Sequence, residues 1–112
     1  MNTNQFNKNY LTELTEVVNR TNFSKLGDLI NRIKKVKSQK GRIFFLGVGG
    51  SAANCSHAVN DFRKIAKIEC YTPSDNVSEL TATTNDEGWD KVFINWLKSN
   101  SLTKKDLIFI FS

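Results

Sequence analysis

The sequence predicts an α/β fold, a three-layer arrangement in which a parallel sheet lies between helices on both faces. Three observations predict it. Short apolar runs at 42–46, 68–72 and 106–111 read as strands. Apolar stripes at helical spacing separate them, and strands alternating with helices give parallel pairing through right-handed crossovers. The first run leads directly into Gly47-Val48-Gly49-Gly50, the kind of strand-to-helix turn found in flavodoxin-like and Rossmann-like sheets.

The elements follow in order. Leu11, Leu14, Val17 and Val18 recur at helical spacing, so residues 4–20 read as an amphipathic helix that Thr21-Asn22 breaks. Phe23, Leu26, Leu29, Ile30, Ile33 and Val36 make a second stripe, with Ser24 as its expected cap and Ser38-Gln39-Lys40-Gly41 as its end. Arg42-Ile43-Phe44-Phe45-Leu46 is nearly continuous in apolar residues, the pattern of a strand covered on both faces. A helix is expected from Ser51 to Ala66, then a strand at Ile68–Thr72 ended by Pro73. Asn76–Asn85 reads as a helix capped by Asp75 or Asn76. Gly88 punctuates, and Trp89, Val92, Phe93, Trp96 and Leu97 form the last helical stripe. Asp106–Phe111 is expected to be a third buried strand.

The chain divides on this reading into an amino-terminal helical pair at 1–40 and the first part of an α/β domain at 41–112. Open α/β sheets bind ligands outside the carboxyl ends of their strands. Ser112 stands at such an end, so a sheet truncated after its third strand is the expectation.

Composition excludes several classes. No apolar run approaches the ~20 residues a membrane-spanning helix needs. The start lacks the charged and apolar regions of a signal peptide. Cys55 and Cys70 form neither a disulfide framework nor a CxxC metal motif, which fits a reducing cytoplasm. The net charge of +5 comes largely from Arg32, Lys34, Lys35, Lys37, Lys40 and Arg42. Most of these close a helix, where cations complement the dipole. No aromatics are interleaved to stack bases, so no nucleic-acid partner is expected.

Three glycines in four residues let the backbone turn sharply and come close to a ligand. The helix opening at Ser51 presents unpaired N–H groups and a partial positive charge there, a ready site for a phosphate, with the Ser51 hydroxyl as a further donor. Gly47-x-Gly49-x-x-Ala52 also fits the loose dinucleotide pattern, with Asp75 near the distance of a ribose-binding acid. No Gly-Lys-Ser/Thr follows, so the turn is not a Walker A loop. On the helix behind it, Cys55, Ala58, Val59, Phe62, Ile65 and Ala66 gather on one face. Gly50, Asn54, His57, Asp61 and Lys64 gather on the other. His57 and Asp61, one turn apart, can grip one metal ion, share a proton, or form an ordinary exposed pair.

These residues carry a resemblance. Gly-Val-Gly-Gly-Ser-Ala-Ala-Asn-Cys-Ser-His-Ala-Val-Asn-Asp-Phe resembles the core of the sugar isomerase (SIS) domain, in its phosphoheptose isomerase branch. That branch has Asn-Gly-Gly-Ser, a His six residues after the Ser, and a Glu four later. Ser51, His57 and Asp61 fall at those spacings. Residues 76–89, Asn-Val-Ser-Glu-Leu-Thr-Ala-Thr-Thr-Asn-Asp-Glu-Gly-Trp, are similar to the family's Leu-Thr-Ala…Asn-Asp-x-Gly segment. The two preceding helices agree as well.

The resemblance implies a ketose–aldose isomerase that converts sedoheptulose 7-phosphate to a heptose 7-phosphate, a precursor of bacterial surface heptose. It implies substrate contacts at Gly49, Gly50, Ser51, Asn85 and Asp86, and a serine-rich phosphate loop beginning at Ser112. His57 and Asp61 match metal-ligand positions, and Asp61 also matches the acid/base carboxylate. It further implies zinc and a homotetramer with sites between subunits. Two departures stand out: Val48 replaces the family's Asn, and Asp61 replaces its Glu. With two of the ligand positions present, the chain alone is expected to be inactive. The alternatives are a sugar-phosphate-binding SIS module without catalysis and a dinucleotide-binding fragment.

Overall fold

The computed structural model describes residues 2–112. The chain forms two compact units, one ending at Asn31 and one covering Arg32–Ser112. In the first, helix α1 (Thr3–Asn19) is opened by Asn2, whose side chain accepts from the Gln5 N–H. None of its residues is buried. Helix α2 (Phe23–Ser38) starts in this unit. Its cap is Asn22, not the expected Ser24: the Asn22 side-chain Oδ1 accepts the Lys25 N–H at 3.0 Å. Its short amide competes well for the orphan N–H groups of a helix start.

The second unit holds the sheet. Strands β1 (Ile43–Leu46), β2 (Cys70–Tyr71) and β3 (Leu107–Ile110) are all parallel, in the order β2-β1-β3. Every residue of the central β1 is buried, as its unbroken apolar run requires. Its side chains alternate between two cores. Ile43 and Phe45 join Val36, Cys55, Val59, Ile68 and Cys70 on one face. Phe44 and Leu46 join Trp96 and Leu97 on the other. Helix α3 (Gly50–Asp61) covers the first face, and α5 (Val92–Ser99) covers the second. Helix α4 (Val77–Glu87) precedes α5, capped by Asn76, whose side chain accepts the Glu79 N–H.

Three differences from the sequence reading have physical causes. The strand expected at Ile68–Thr72 pairs only over Cys70–Tyr71. The α-helix expected to run to Ala66 ends at Asp61 and passes into a π-turn, Phe62–Ala66. Lys67, left-handed at φ 55°, closes that turn with its N–H on the Phe62 carbonyl. Apolar spacing does not distinguish a single wider turn from continued α-helix. The third strand is not wholly buried: Leu107 and Phe109 pack on the first core, while Ile108 and Ile110 are 41% and 67% exposed. Helix α5 packs over β1 and Tyr71, which leaves that face of β3 open. An open, apolar edge strand promotes pairing with another chain. Light scattering is expected to show concentration-dependent self-association that Ile108→Lys reduces; a monomer at all concentrations would contradict this.

A polar clamp fixes the start of both long strands. Asp106 accepts from the Arg42 backbone N–H and from Arg42 Nη2, each at 2.8 Å, and from the Thr103 N–H at 2.8 Å. Arg42 Nη1 and Nη2 also donate to the carbonyls of Asn100 and Ser101, and the guanidinium lies 4.9 Å from the Phe44 ring centroid.

Candidate functional site

The site is built at the carboxyl ends of β1 and β3. As β1 ends, Gly47 lets the chain fold back tightly, since a Cβ there would stand 2.7 Å from the Ser51 carbonyl. Gly49 then takes φ 61°, a left-handed conformation that suits glycine, and opens α3. The turn uses the Ser51 N–H on the Val48 carbonyl at 3.2 Å, and the Ala52 and Ala53 N–H groups on the Gly49 carbonyl. Among the described residues nothing accepts from the Gly49 or Gly50 N–H or from the Ser51 hydroxyl. These three donors cluster at the positive end of a twelve-residue helix, where the sequence reading expects a phosphate.

Helix α3 carries the rest. Its Cys55 and Val59 are locked into the core, which turns the opposite stripe outward. Ser51, Asn54, His57 and Asp61 line one cavity of about 550 Å3. Phe62, directly after Asp61, and Ile110, Phe111 and Ser112 at the end of β3 also line it. The His57 Nε2 and Asp61 Oδ2 atoms are 3.1 Å apart, with the imidazole mostly exposed and the carboxylate about half exposed. An acceptor and a proton-carrying ring so placed, ten and six residues beyond Ser51 on the same helix, can exchange a proton with a ligand held in this cavity.

The structure therefore brings Ser51, His57, Asp61 and Ser112 together, with Gly49 and Gly50 at the turn that leads into them. It does not bring in Asn85 and Asp86. They lie exposed near the end of α4, with Asn85 Nδ2 donating to Asp86 Oδ1 at 2.9 Å, and neither lines this cavity. Asp75 accepts from the Ser56 hydroxyl at 2.5 Å, tying the turn after β2 to the back of α3. Asn54, Phe62 and Phe111 are site residues that the sequence reading did not select. Asn54 could have been found, since it precedes His57 by three on the same stripe. The two aromatic walls could not: Phe62 belongs to the apolar stripe, and Phe111 to an apparently buried strand.

A metal has too few donors here. Among the described residues no group of three His, Cys, Asp or Glu side chains converges. His57 and Asp61 would supply two ligands, whereas a catalytic zinc takes three from protein. The described residues do not fit a zinc site by themselves, and the chemistry below assigns no step to one.

No family model matches the chain. Over 92 residues it is 29% identical to a phosphoheptose isomerase of Chlorobaculum tepidum, a match that covers 76% of this chain and 44% of that protein. Its fold matches the structure of phosphoheptose isomerase GmhA from Neisseria gonorrhoeae with a TM-score of 0.66, at 20% identity, over 96% of this chain and 60% of that one. The resemblance read from the motifs and the α/β class are thus borne out. The chain spans less than half the length of the curated relative it matches.

Proposed function

We propose that this chain is the sugar-phosphate-binding part of a ketose–aldose isomerase, with sedoheptulose 7-phosphate as substrate. The observation that carries the reading is one cavity that the His57–Asp61 pair shares with Ser51, which follows the free N–H groups of Gly49 and Gly50 at the head of α3. Holding the phosphate at these donors converts proton transfer into an intramolecular event in fixed register. Asp61 then takes a proton from C1 of the ketose. The C–H electron pair becomes the C1–C2 double bond of an enediol as the C2 carbonyl oxygen gains a proton. Returning a proton to C2, with loss of the O1 proton, gives the aldose. His57, 3.1 Å from Asp61, is the partner that carries the proton to and from oxygen.

Asn85 and Asp86 lie outside this cavity, which suits a site completed by a second copy in a homotetramer, as the family resemblance suggests. No helix among the described residues is long and apolar enough to cross a membrane. The two cysteines are free and buried, in keeping with a cytoplasmic protein.

A second reading, a binding module without catalysis, draws on Asp61 standing half exposed on a side chain one methylene shorter than Glu. Deuterium exchange separates the two. The chain is expected to bind sedoheptulose 7-phosphate and to exchange C1 hydrogen with solvent, with little net isomerisation in a coupled assay. Asp61→Asn should slow that exchange by about a hundredfold while leaving binding within a few-fold. Binding with no exchange in the unaltered chain would favour the module.

A further inference from the structure

We propose that Asn54 is a sugar-binding residue whose carboxamide holds two neighbouring hydroxyls in the middle of the substrate chain. The proposal rests on the sugar-phosphate reading of the cavity. It adds how a long polyhydroxylated ligand is held between its phosphate and its reacting end.

Ser51, Asn54, Ala58 and Asp61 follow one another along α3 at spacings of three, four and three residues, so they share one ridge of the helix. All four line the cavity that also holds His57. Asn54 is three residues beyond Ser51 and three before His57, about 4.5 Å along the axis from each at the rise of an α-helix. A ligand reaching from Ser51 to His57 and Asp61 crosses Asn54 on the way. Between Ser51 and His57 it is the one residue of α3 that lines the cavity.

The polar groups farther along are committed to each other. His57 Nε2 lies 3.1 Å from Asp61 Oδ2, and Asn60 Nδ2 donates to Asp61 Oδ1 at 3.3 Å. Among the described residues the Asn54 carboxamide has no hydrogen-bond partner. The fold gives no reason for an asparagine at this place. Position 54 is exposed and inside the helix, where Asn is a poorer helix former than Ala, and its side chain caps no N–H.

Sugar chemistry gives a reason. A carboxamide offers an accepting oxygen and two N–H donors side by side. Adjacent sugar hydroxyls each donate and accept, so one donates to the oxygen while the next accepts from the nitrogen. A carboxylate at this position would accept from both hydroxyls but donate to neither, and would add a negative charge near the phosphate.

The test is Asn54→Ala in the full chain, which should fold because Ala favours helix. Calorimetric titration with sedoheptulose 7-phosphate should show binding about tenfold weaker than in the parent, the loss expected for two solvent-accessible hydrogen bonds. Binding of inorganic phosphate should change little, since the donors at Gly49–Ser51 are untouched. C1 hydrogen exchange should keep its rate at saturating sugar phosphate while the half-saturating concentration rises, because the His57–Asp61 pair is intact. Asn54→Asp should not restore the affinity. Equal affinity of the parent and Asn54→Ala for sedoheptulose 7-phosphate would overturn the proposal and leave the phosphate site standing. So would equal losses for the sugar phosphate and for inorganic phosphate, which would mark a disturbed helix start. No binding of sedoheptulose 7-phosphate by the parent chain would overturn the sugar-phosphate reading, and this proposal with it.

Discussion

Replacing Asp106 with Ala is expected to lower the unfolding free energy by about 3 kcal/mol, because it leaves Arg42 partly buried without its counter-charge. The Asp106 side chain is 3% exposed and that of Arg42 is 22% exposed, so solvent screens the pair weakly. Burial alone would push the Asp106 carboxyl up. The bonds from Arg42 and Thr103 outweigh it and hold the group at about 2. An unfolded Asp titrates near ~3.9, so the folded state prefers the charged form. The pair's contribution is complete above pH ~4 and is lost as pH falls from there through about 2, by roughly 2–3 kcal/mol. Urea unfolding of the parent chain and of Asp106→Asn across pH 2 to 7 checks this. The parent should lose stability in that window, and the Asn variant should lack this component.

Phe45→Ala is expected to cost more, about 4 kcal/mol, and to damage the site as well. Phe45 is fully buried and stands at the centre of an aromatic cluster, with ring centroids 5.2 Å from Phe62, 5.5 Å from Phe109 and 5.7 Å from Phe111. Phe62 and Phe111 are two walls of the His57–Asp61 cavity. Truncation removes the surface against which both rest. Phe45→Leu, which keeps most of the volume, should cost closer to ~1.5 kcal/mol and still loosen sugar-phosphate binding several-fold. Denaturant unfolding and calorimetry on the two variants separate the effects. Unchanged binding in Phe45→Leu would show that the walls do not depend on this ring.

Much of the fold was legible because local rules agree with the global one. The run Ile43–Leu46 announces a strand covered on both faces, and the structure buries all four residues on two cores. The glycine turn and the stripe His57–Asp61 were also legible, since close approach and helical phase are local properties. What was hidden depends on partners far along the chain. Arg42 and Asp106 are 64 positions apart, and nothing near either one signals the clamp. The exposure of Ile108 and Ile110 follows from where α5 packs, not from their own sequence. The π-turn at Phe62–Ala66 carries the same apolar spacing as the α-helix before it, so only its hydrogen bonds reveal it.

The central claim is that the Gly49–Ser51 cradle receives the phosphate of a sugar phosphate beside His57 and Asp61. Titration of the 15N-labelled chain with sedoheptulose 7-phosphate, followed by amide shifts in NMR, tests it most directly. The largest shifts should fall on Gly49, Gly50 and Ser51, with smaller ones at Asn54 and His57, and Ser51→Ala should weaken binding about tenfold. Shifts confined to the basic residues of α2, or none at the glycine turn at saturating ligand, would contradict the account.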